Sequence, residues 1–555
     1  MEKDASKIIS KVATKEAEFK ARFERMDNDF DIWDEVTSLN DKAIDKTTKR
    51  HASDIEIISN DLRLHADGVQ SIISASEMQV RVFMAEAEGE DKSDDIGKLE
   101  RLFRFAQEEA DKRLIKLLLP PMRETIIWCS AIRGWTAARI LVEKGEKGSV
   151  IFNLMPLDPR WLTYEVGADG LLWTAYKTFR SRDSINSEYN EGVGDTPWWK
   201  SLGKNESDLE VIDYWAYEGK GEMANAVVCD NQWLKEPETY DMRSMPIIII
   251  PVATRPSITT ISNSKERAVA GYGDSIFAPI RVINGLRNRY ASMVATHADK
   301  LARQPLINYK DGQGRELNFQ TNVPGSVIEL EMGHNKLEPS PMKEISPTTI
   351  GMLDWLTNQV ESALLPRVDI GRPPPSGTLY SLVQETGNRV LNPQLQNIET
   401  FYAEMFRLIE EQLIDGGIRV NVKQENERKY FETKVTPVDL KKPHIIEVTF
   451  TARTPYEQLE TAQIADMLQR AGIPQRWIWE HIYKFSDPKL MEDLAVMEIY
   501  EHSPQGMQKR IVEVLMDKGY VFEAKKLIAQ MDTMEAQEQG VIPSEEEGPP
   551  APQVE

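Results

Sequence analysis

Residues Gly371–Pro393 read GRPPPSGTLYSLVQETGNRVLNP. Three consecutive prolines do not fit inside a helix, because each lacks a backbone donor and its ring clashes with the preceding turn. They make a stiff, extended, solvated spur. The residues that follow carry a helical pattern. Leu391, Leu395, Ile398, Tyr402, Met405, Ile409 and Leu413 recur in steps of three or four, a narrow apolar seam. A helix from Thr378 to Asp415 would be about 55 Å long. Gly387 and Pro393 predict a kink in it, and Gly416-Gly417 predicts its end. The spacing therefore places a stiff spur at the head of one of the longest helices of the chain.

Upstream of the spur, the stretch YGDSIFAPIRVINGLRNRYASMVATHADKLARQP predicts a helix over 276–303. Asp274 or Ser275 can cap it, and Pro279 suits its first turn. Its length would be roughly 40 Å, and Arg281, Arg287, Arg289, Lys300 and Arg303 make it locally basic. About 40 residues follow that are rich in Gly, Pro and Asn. Ser346-Pro347 then reads as a cap followed by proline at the first helical position. Ile350, Leu353, Val360 and Leu364 continue that helix until Pro366.

Between about 140 and 260 the runs FNLMPLDPRWLTYEV, LLWTAYKTF, LEVIDYWAYEG and MPIIIIPVA predict strands of a mostly antiparallel sheet. Trp161, Trp173, Tyr176, Trp215 and Tyr217 lie along them. Aromatics alternating on strands point to core, with base stacking as the other reading. Further strands are expected at IRVNVK and HIIEVTFTAR. Thr454-Pro455, Asp487-Pro488 and Ser503-Pro504 predict three helix starts, with Gly472 and Gly519 as stops. The tail PSEEEGPPAPQVE has a disorder-prone composition. The first 140 residues read as mainly helical. Within them DNDFDIWDE, Asp27–Glu35, begins like a calcium loop, but Ile32 and Ser38 stand where an EF-hand needs Gly and Glu. A solvated acidic face is the expectation there.

The chain has 555 residues, 41% of them hydrophobic and 28% charged, which suits several domains or one elongated subunit. No apolar run reaches the length of a membrane span, and MEKDASKIISK lacks the apolar core of a signal peptide. Cys129 and Cys229 form no CxxC pair, which suits a reducing compartment. The net charge of −22 argues against wrapping nucleic acid, since phosphate binding relies on Lys and Arg. No GxxxxGK[ST], HExxH or GxSxG occurs, and the seven histidines include no pair at metal-ligand spacing. No enzyme activity, cofactor or metal is expected from these motifs. A two-metal nuclease with scattered carboxylate ligands, or a scaffold without a DNA role, remain the alternatives.

The order of these parts resembles the tailed-bacteriophage portal proteins, over roughly residues 120 to 535. YGDSIFAPIRVINGLRNRYASMVATHADKLARQPLINY and LLPRVDIGRPPPSGTLYSLVQETGNRVLNPQLQNIETFYAEMF carry the resemblance, with TPYEQLETAQIADMLQRAGIPQRWIWEHI and SDPKLMEDLAVMEIYE. It implies an α+β subunit. After an N-terminal helical region (1–120) would come a β-rich wing (121–270), a first stem helix (271–303), a small α/β clip (304–345) and a second stem helix (346–370). A tunnel loop (371–377), a long kinked wing helix (378–417), wing strands (418–453), crown helices (454–540) and a disordered tail (541–555) would follow. The implied function is a non-enzymatic ring, a dodecamer at one capsid vertex of the virion, assembled in the host cytoplasm. Double-stranded DNA would pass through it during packaging and ejection. The terminase large subunit and later a head–tail adaptor would dock on the clip, and major capsid and scaffolding proteins would surround it, with no membrane. By position in that family, Arg372, Pro373, Pro374 and Pro375 would face the DNA channel, and Lys310, Arg315 and Lys336 would meet docking partners. Leu391, Leu395, Tyr402 and Met405 on the seam would pack subunit against subunit.

Overall fold

The computed structural model describes residues 4–35, 55–84, 93–145, 149–189, 208–219, 221–252, 271–302, 306–310, 335–339, 344–364, 377–426, 429–451 and 455–483, with scattered positions elsewhere. It is a mixed α and β protein that divides into two compact units, Met1–Arg453 and Thr454–Glu555.

In the first unit, helix α1 (Ala5–Asp34) is followed by α2 (Asp61–Ala75), strand β1 (Glu77–Met84), α3 (Ser93–Lys116) and α4 (Met122–Trp128). A five-residue π turn, Cys129–Arg133, then feeds β2 (Trp135–Lys144) and β3 (Val150–Pro156). Strands β4 (Leu162–Val166) and β5 (Leu171–Arg180), the short helix α5 (Arg182–Tyr189) and strands β6 (Leu209–Gly219), β7 (Glu222–Cys229) and β8 (Gln232–Asp241) follow, and β9 (Ile247–Pro251) closes the series. All the pairings are antiparallel, in a three-stranded sheet β3-β2-β9 and a five-stranded sheet β4-β5-β6-β7-β8. Trp173 and Trp215 are buried between strands, as the core reading requires, whereas Tyr217 is exposed.

Helix α6 (Arg281–Ala302) leads to a hairpin, β10 (Leu306–Lys310) with β11 (Asn335–Pro339), and α7 (Pro347–Ala363) packs along α6. Ser346 caps α7 by accepting a hydrogen bond from the Thr348 amide at 3.3 Å, with Pro347 in the first turn. The long helix α8 spans Gly377–Asp415 and runs through Pro393 as one element. Gly417 (φ +59°) lets it stop: the Ile418 amide turns back to the Leu413 carbonyl at 2.9 Å. Strands β12 (Val420–Asn426) and β13 (Lys429–Val435), helix α9 (Pro437–Leu440) and β14 (His444–Thr451) complete the unit.

The main core gathers α2, α3, α4 and α8 against β1, β2, β3 and β14. Phe103 of α3 stacks on Phe406 of α8 with ring centroids 4.8 Å apart. Strands β2, β7, β8 and β13 escaped the sequence reading, as did β1, which lies in a region expected to be helical and pairs with β14 over its whole length. The seam on α8 also needs correcting. Leu391, Tyr402 and Met405 are fully buried inside this single chain, and Leu395 packs against the same core. Tyr402 sits between Phe401, Phe406 and Phe450, so Leu391, Tyr402 and Met405 pack inside the chain itself, and Leu395 is partly buried against the same core.

Polar side chains of α8 extend the β2 ladder where β9 runs out. β9 covers Trp135–Arg139. Beyond it, Gln412 Nε2 donates to the Ile140 carbonyl and its Oε1 accepts from the Val142 amide, both at 2.8 Å. A side-chain amide thus satisfies backbone groups that burial would otherwise leave unpaired. The second unit contains α10 (Pro455–Arg470) and α11 (Gln475–His481), separated by a turn at Gly472 (φ +85°) as the stop signal predicts.

His444 at the start of β14 contacts Glu410 of α8 through Nε2 at 2.7 Å, and both side chains are buried. The hydrogen bond to Glu410 holds the His444 imidazole above its ordinary value, and burial holds the Glu410 carboxyl above its own. A histidine raised on folding contributes stability that is present below its unfolded value of 6.5 and lost as pH rises through the folded value. The raised carboxyl acts in the same direction. Thermal unfolding should therefore shift to lower temperature as pH rises above 6.5, more steeply in the parent than in His444→Gln. Parallel pH profiles would contradict the pairing.

Candidate functional site

Helix α6, which leads into the hairpin β10–β11 and packs on α7, is held at its start by α1. The stripe Arg22, Arg25, Met26, Asp29 and Ile32 forms one face of α1, and every member is buried. Asp29 is 0% exposed. It accepts from Arg281 Nε at 2.6 Å, Arg281 Nη2 at 2.8 Å and Ser275 Oγ at 2.8 Å. The expected solvated acidic face is therefore wrong at its centre: Asp29 anchors the first turn of α6. Burial lowers the affinity of the Arg281 guanidinium for its proton, but the hydrogen bonds and charge of Asp29, aided by Asp274, outweigh it and leave Arg281 above its ordinary value.

Arg25 completes the junction. It donates to the Gly273 carbonyl, to Asp274 Oδ1 at 3.1 Å and to the Arg133 carbonyl at 3.0 Å. Burial lowers its pKa, an effect that Asp29 and Asp274 oppose. Arg133 in turn donates to the Met26 carbonyl and to Asp158, each at 2.8 Å. The approach is close enough to demand glycine twice. A Cβ on Gly134 (φ +71°) would lie 2.2 Å from the Gly273 carbonyl oxygen, and one on Gly273 (φ +72°) would lie 2.2 Å from Trp135 Nε1. Arg22 lies under Trp135, its guanidinium 4.0 Å from the Phe19 ring and 4.7 Å from the Trp135 ring, and it donates to the Tyr164 hydroxyl at 3.0 Å. The sequence carried no local signal for this junction, because the partners of Asp29 lie 246 and 252 positions along the chain.

A second device binds α6. Residues 55–59 run extended along it. Ile55, Ile57 and Ser59 donate their amides to Thr296 Oγ1 (2.9 Å), Ser292 Oγ (2.9 Å) and Asn288 Oδ1 (3.4 Å). Those acceptors are spaced four residues apart and so share one helix face. Arg287 closes the row on Asp61 at 2.9 Å. Arg281 and Arg287 are thus spent inside the subunit, which removes two of the basic residues from the locally basic face of α6.

Outside these contacts the helix pair exposes several large apolar side chains. Val282 (73% exposed), Leu286 and Met293 form one solvent-facing stripe on α6, and α7 exposes Ile350, Met352 and Trp355. Lys310 ends β10, and Lys336 lies exposed on β11, its register partner Tyr309 also exposed. Arg315, Arg372, Pro373, Pro374 and Pro375 lie outside the described residues. A cavity of about 890 Å³ opens between the two sheets. Its polar groups answer one another: Arg139 with Asp213 (2.7 Å), Asn225 with Asp213 (2.7 Å) and Lys235 with Asn225 (3.2 Å). Among the described residues no three His, Cys, Asp or Glu side chains converge as metal ligands, and no helix is long and apolar enough to cross a membrane. No protein-family model and no curated protein matches the chain.

The junction has a measurable signature. Replacing Asp29 by Leu leaves Arg281 and Arg25 short of a counter-charge in a dry site, which should cost about 3–5 kcal/mol of unfolding free energy. Replacing Asp29 by Leu and Arg281 by Met together should cost clearly less than the sum of the two single changes. Additive costs in denaturant titrations would show that the pair is not coupled.

Proposed function

We propose that the chain is the subunit of a portal: a closed ring at one capsid vertex through which double-stranded DNA is packaged and ejected. The observation that carries this reading is the helix pair α6 and α7, which flanks a small hairpin and presents an apolar surface to solvent. A lone soluble subunit rarely exposes such a surface unless a partner covers it. Repetition of one heterologous contact closes a ring when the rotation permits. The order of parts along the chain, which resembles the portal proteins, supports the same reading. In it the hairpin β10–β11 is the clip, with Lys310, Arg315 and Lys336 toward the terminase large subunit and then the head–tail adaptor. Capsid and scaffolding proteins surround the assembled ring in the virion.

The charge balance suits a conduit. Every Lys or Arg contact to phosphate must be released for DNA to advance, so a lining with few available cations lowers friction. The net charge of −22 and the internal pairing of Arg281 and Arg287 both act that way.

Negative-stain images of the purified chain should show a ring with a central hole. Val282→Asp with Leu286→Asp should leave the fold intact, since both side chains face solvent, and should raise the dissociation constant of the assembly at least tenfold. Images of isolated particles for the parent, or rings unchanged in the variant, would contradict the assignment. In filled heads, shortening Pro373–Pro375 to a single glycine should reduce the DNA retained while ring assembly persists; full retention would make the spur a simple connector.

A further inference from the structure

Two packed sheets ordinarily fill the space between them with interdigitated apolar side chains. Here the filling is incomplete, and the cavity of about 890 Å³ that remains has the size of a small-molecule site. Strand alternation sets its walls. Ala138 and Ile140 of β2 and Phe152 and Leu154 of β3 point into the main core. That turns Arg139 of β2 and Asn153 of β3 toward the five-stranded sheet, where both line the cavity. From the opposite side β6 presents Asp213 and Trp215 on one face. Arg139 reaches Asp213 at 2.7 Å, two residues from Trp215 on the same strand. Asn153 lies one diagonal step from Arg139, whose register partner is Met155.

Three polar groups on these walls stand outside the hydrogen-bond network of the cavity. Trp215 is 2% exposed, and its indole Nε1 has no acceptor among the described residues. Arg139 Nε is buried and likewise unanswered. Asn153 is 9% exposed, and its side-chain amide bonds to no described residue. A buried donor without an acceptor is costly to keep, and an indole can only donate. Two such donors beside an open volume call for an acceptor from outside the chain, and Asn153 offers both a donor and an acceptor next to them.

The same walls select against an ion. Arg139 is paired with Asp213, Arg180 with Glu188 and Lys235 with Glu238, so no buried lining cation is left to balance an anion. The remaining surface is aromatic: Trp215 and Tyr240 lie with ring centroids 5.5 Å apart, and Tyr176 lines the cavity beside them. Flat rings favour a flat ligand.

We propose that this cavity binds an uncharged planar amide, either a lactam or an aromatic carboxamide. Its carbonyl accepts from Trp215 Nε1 and Arg139 Nε, and its N–H donates to the Asn153 side-chain carbonyl. The site is independent of the ring reading, since it lies wholly within one chain.

Carbostyril, an uncharged bicyclic lactam, is the probe. Titration calorimetry on the full-length chain should show saturable binding, and the thermal midpoint should rise with the concentration of carbostyril. Trp215→Phe keeps an aromatic ring but removes the donor, and it should raise the dissociation constant at least tenfold. Asn153→Leu should do the same, and it decides the matter if Trp215→Phe does not fold. Naphthoate, a fused ring system that carries a charge, should bind at least tenfold more weakly than carbostyril. No heat and no midpoint shift at the solubility limit of carbostyril would mean that the cavity holds only water, and the proposal would fall. Unchanged affinity in Asn153→Leu or in Trp215→Phe would overturn it as well. Naphthoate binding as tightly as carbostyril would overturn the uncharged class.

Discussion

The bidentate ion pair between Asp29 and Arg281 decides where the rest of the subunit goes. Taking a carboxylate and a guanidinium out of water costs several kcal/mol per ion, so the site persists only when geometry and further hydrogen bonds are complete. Here Ser275 adds a third hydrogen bond to Asp29, and Arg25 pairs with Asp274 beside it. These contacts join α1, the π turn before β2 and the first turn of α6. Gly134 and Gly273 make the approach possible by omitting the two Cβ atoms that would collide. An apolar contact would hold the same elements together but would allow them to slide; directed hydrogen bonds to buried charges do not.

From that junction the architecture divides its labour. Apolar packing around Phe103, Tyr402 and Phe406 binds α8 to the helices and sheets of the unit. Polar side chains finish the edges, as Gln412 does for β2. Helices α6 and α7 share one packed face, and α6 is pinned at its start by Asp29 and along one side by residues 55–59. Much of their remaining surface faces solvent. The pair is thus supported on one side and exposes apolar side chains on the other, which is what the proposed ring contact needs.

Local signals in the sequence carried far. Ser346-Pro347, Thr454-Pro455, Gly417 and Gly472 each mark a helix boundary, because caps and left-handed stops depend on a few adjacent atoms. Strands β3, β4, β5, β6 and β9 were legible from their β-branched and aromatic runs, whereas β2, β7 and β8 were not. Long-range choices were not. Strand β1 alternates as a strand should, but its stability comes from β14, more than 350 residues away. The α8 seam showed which residues share a face; periodicity cannot say whether that face meets the chain's own core or a neighbour, and here it meets the core. Asp29 looked like one acid among many, since its burial depends on Arg281, 252 positions along the chain.

The central claim is that the exposed faces of the subunit exist to meet copies of itself in a closed ring. Native mass spectrometry of the full-length chain tests this most directly. The account predicts one dominant species at a single large multiple of the chain mass, unchanged over a hundredfold dilution above the dissociation constant, since a ring has no free end to grow or shed. A monomer, or an open ladder of successive multiples, would contradict it.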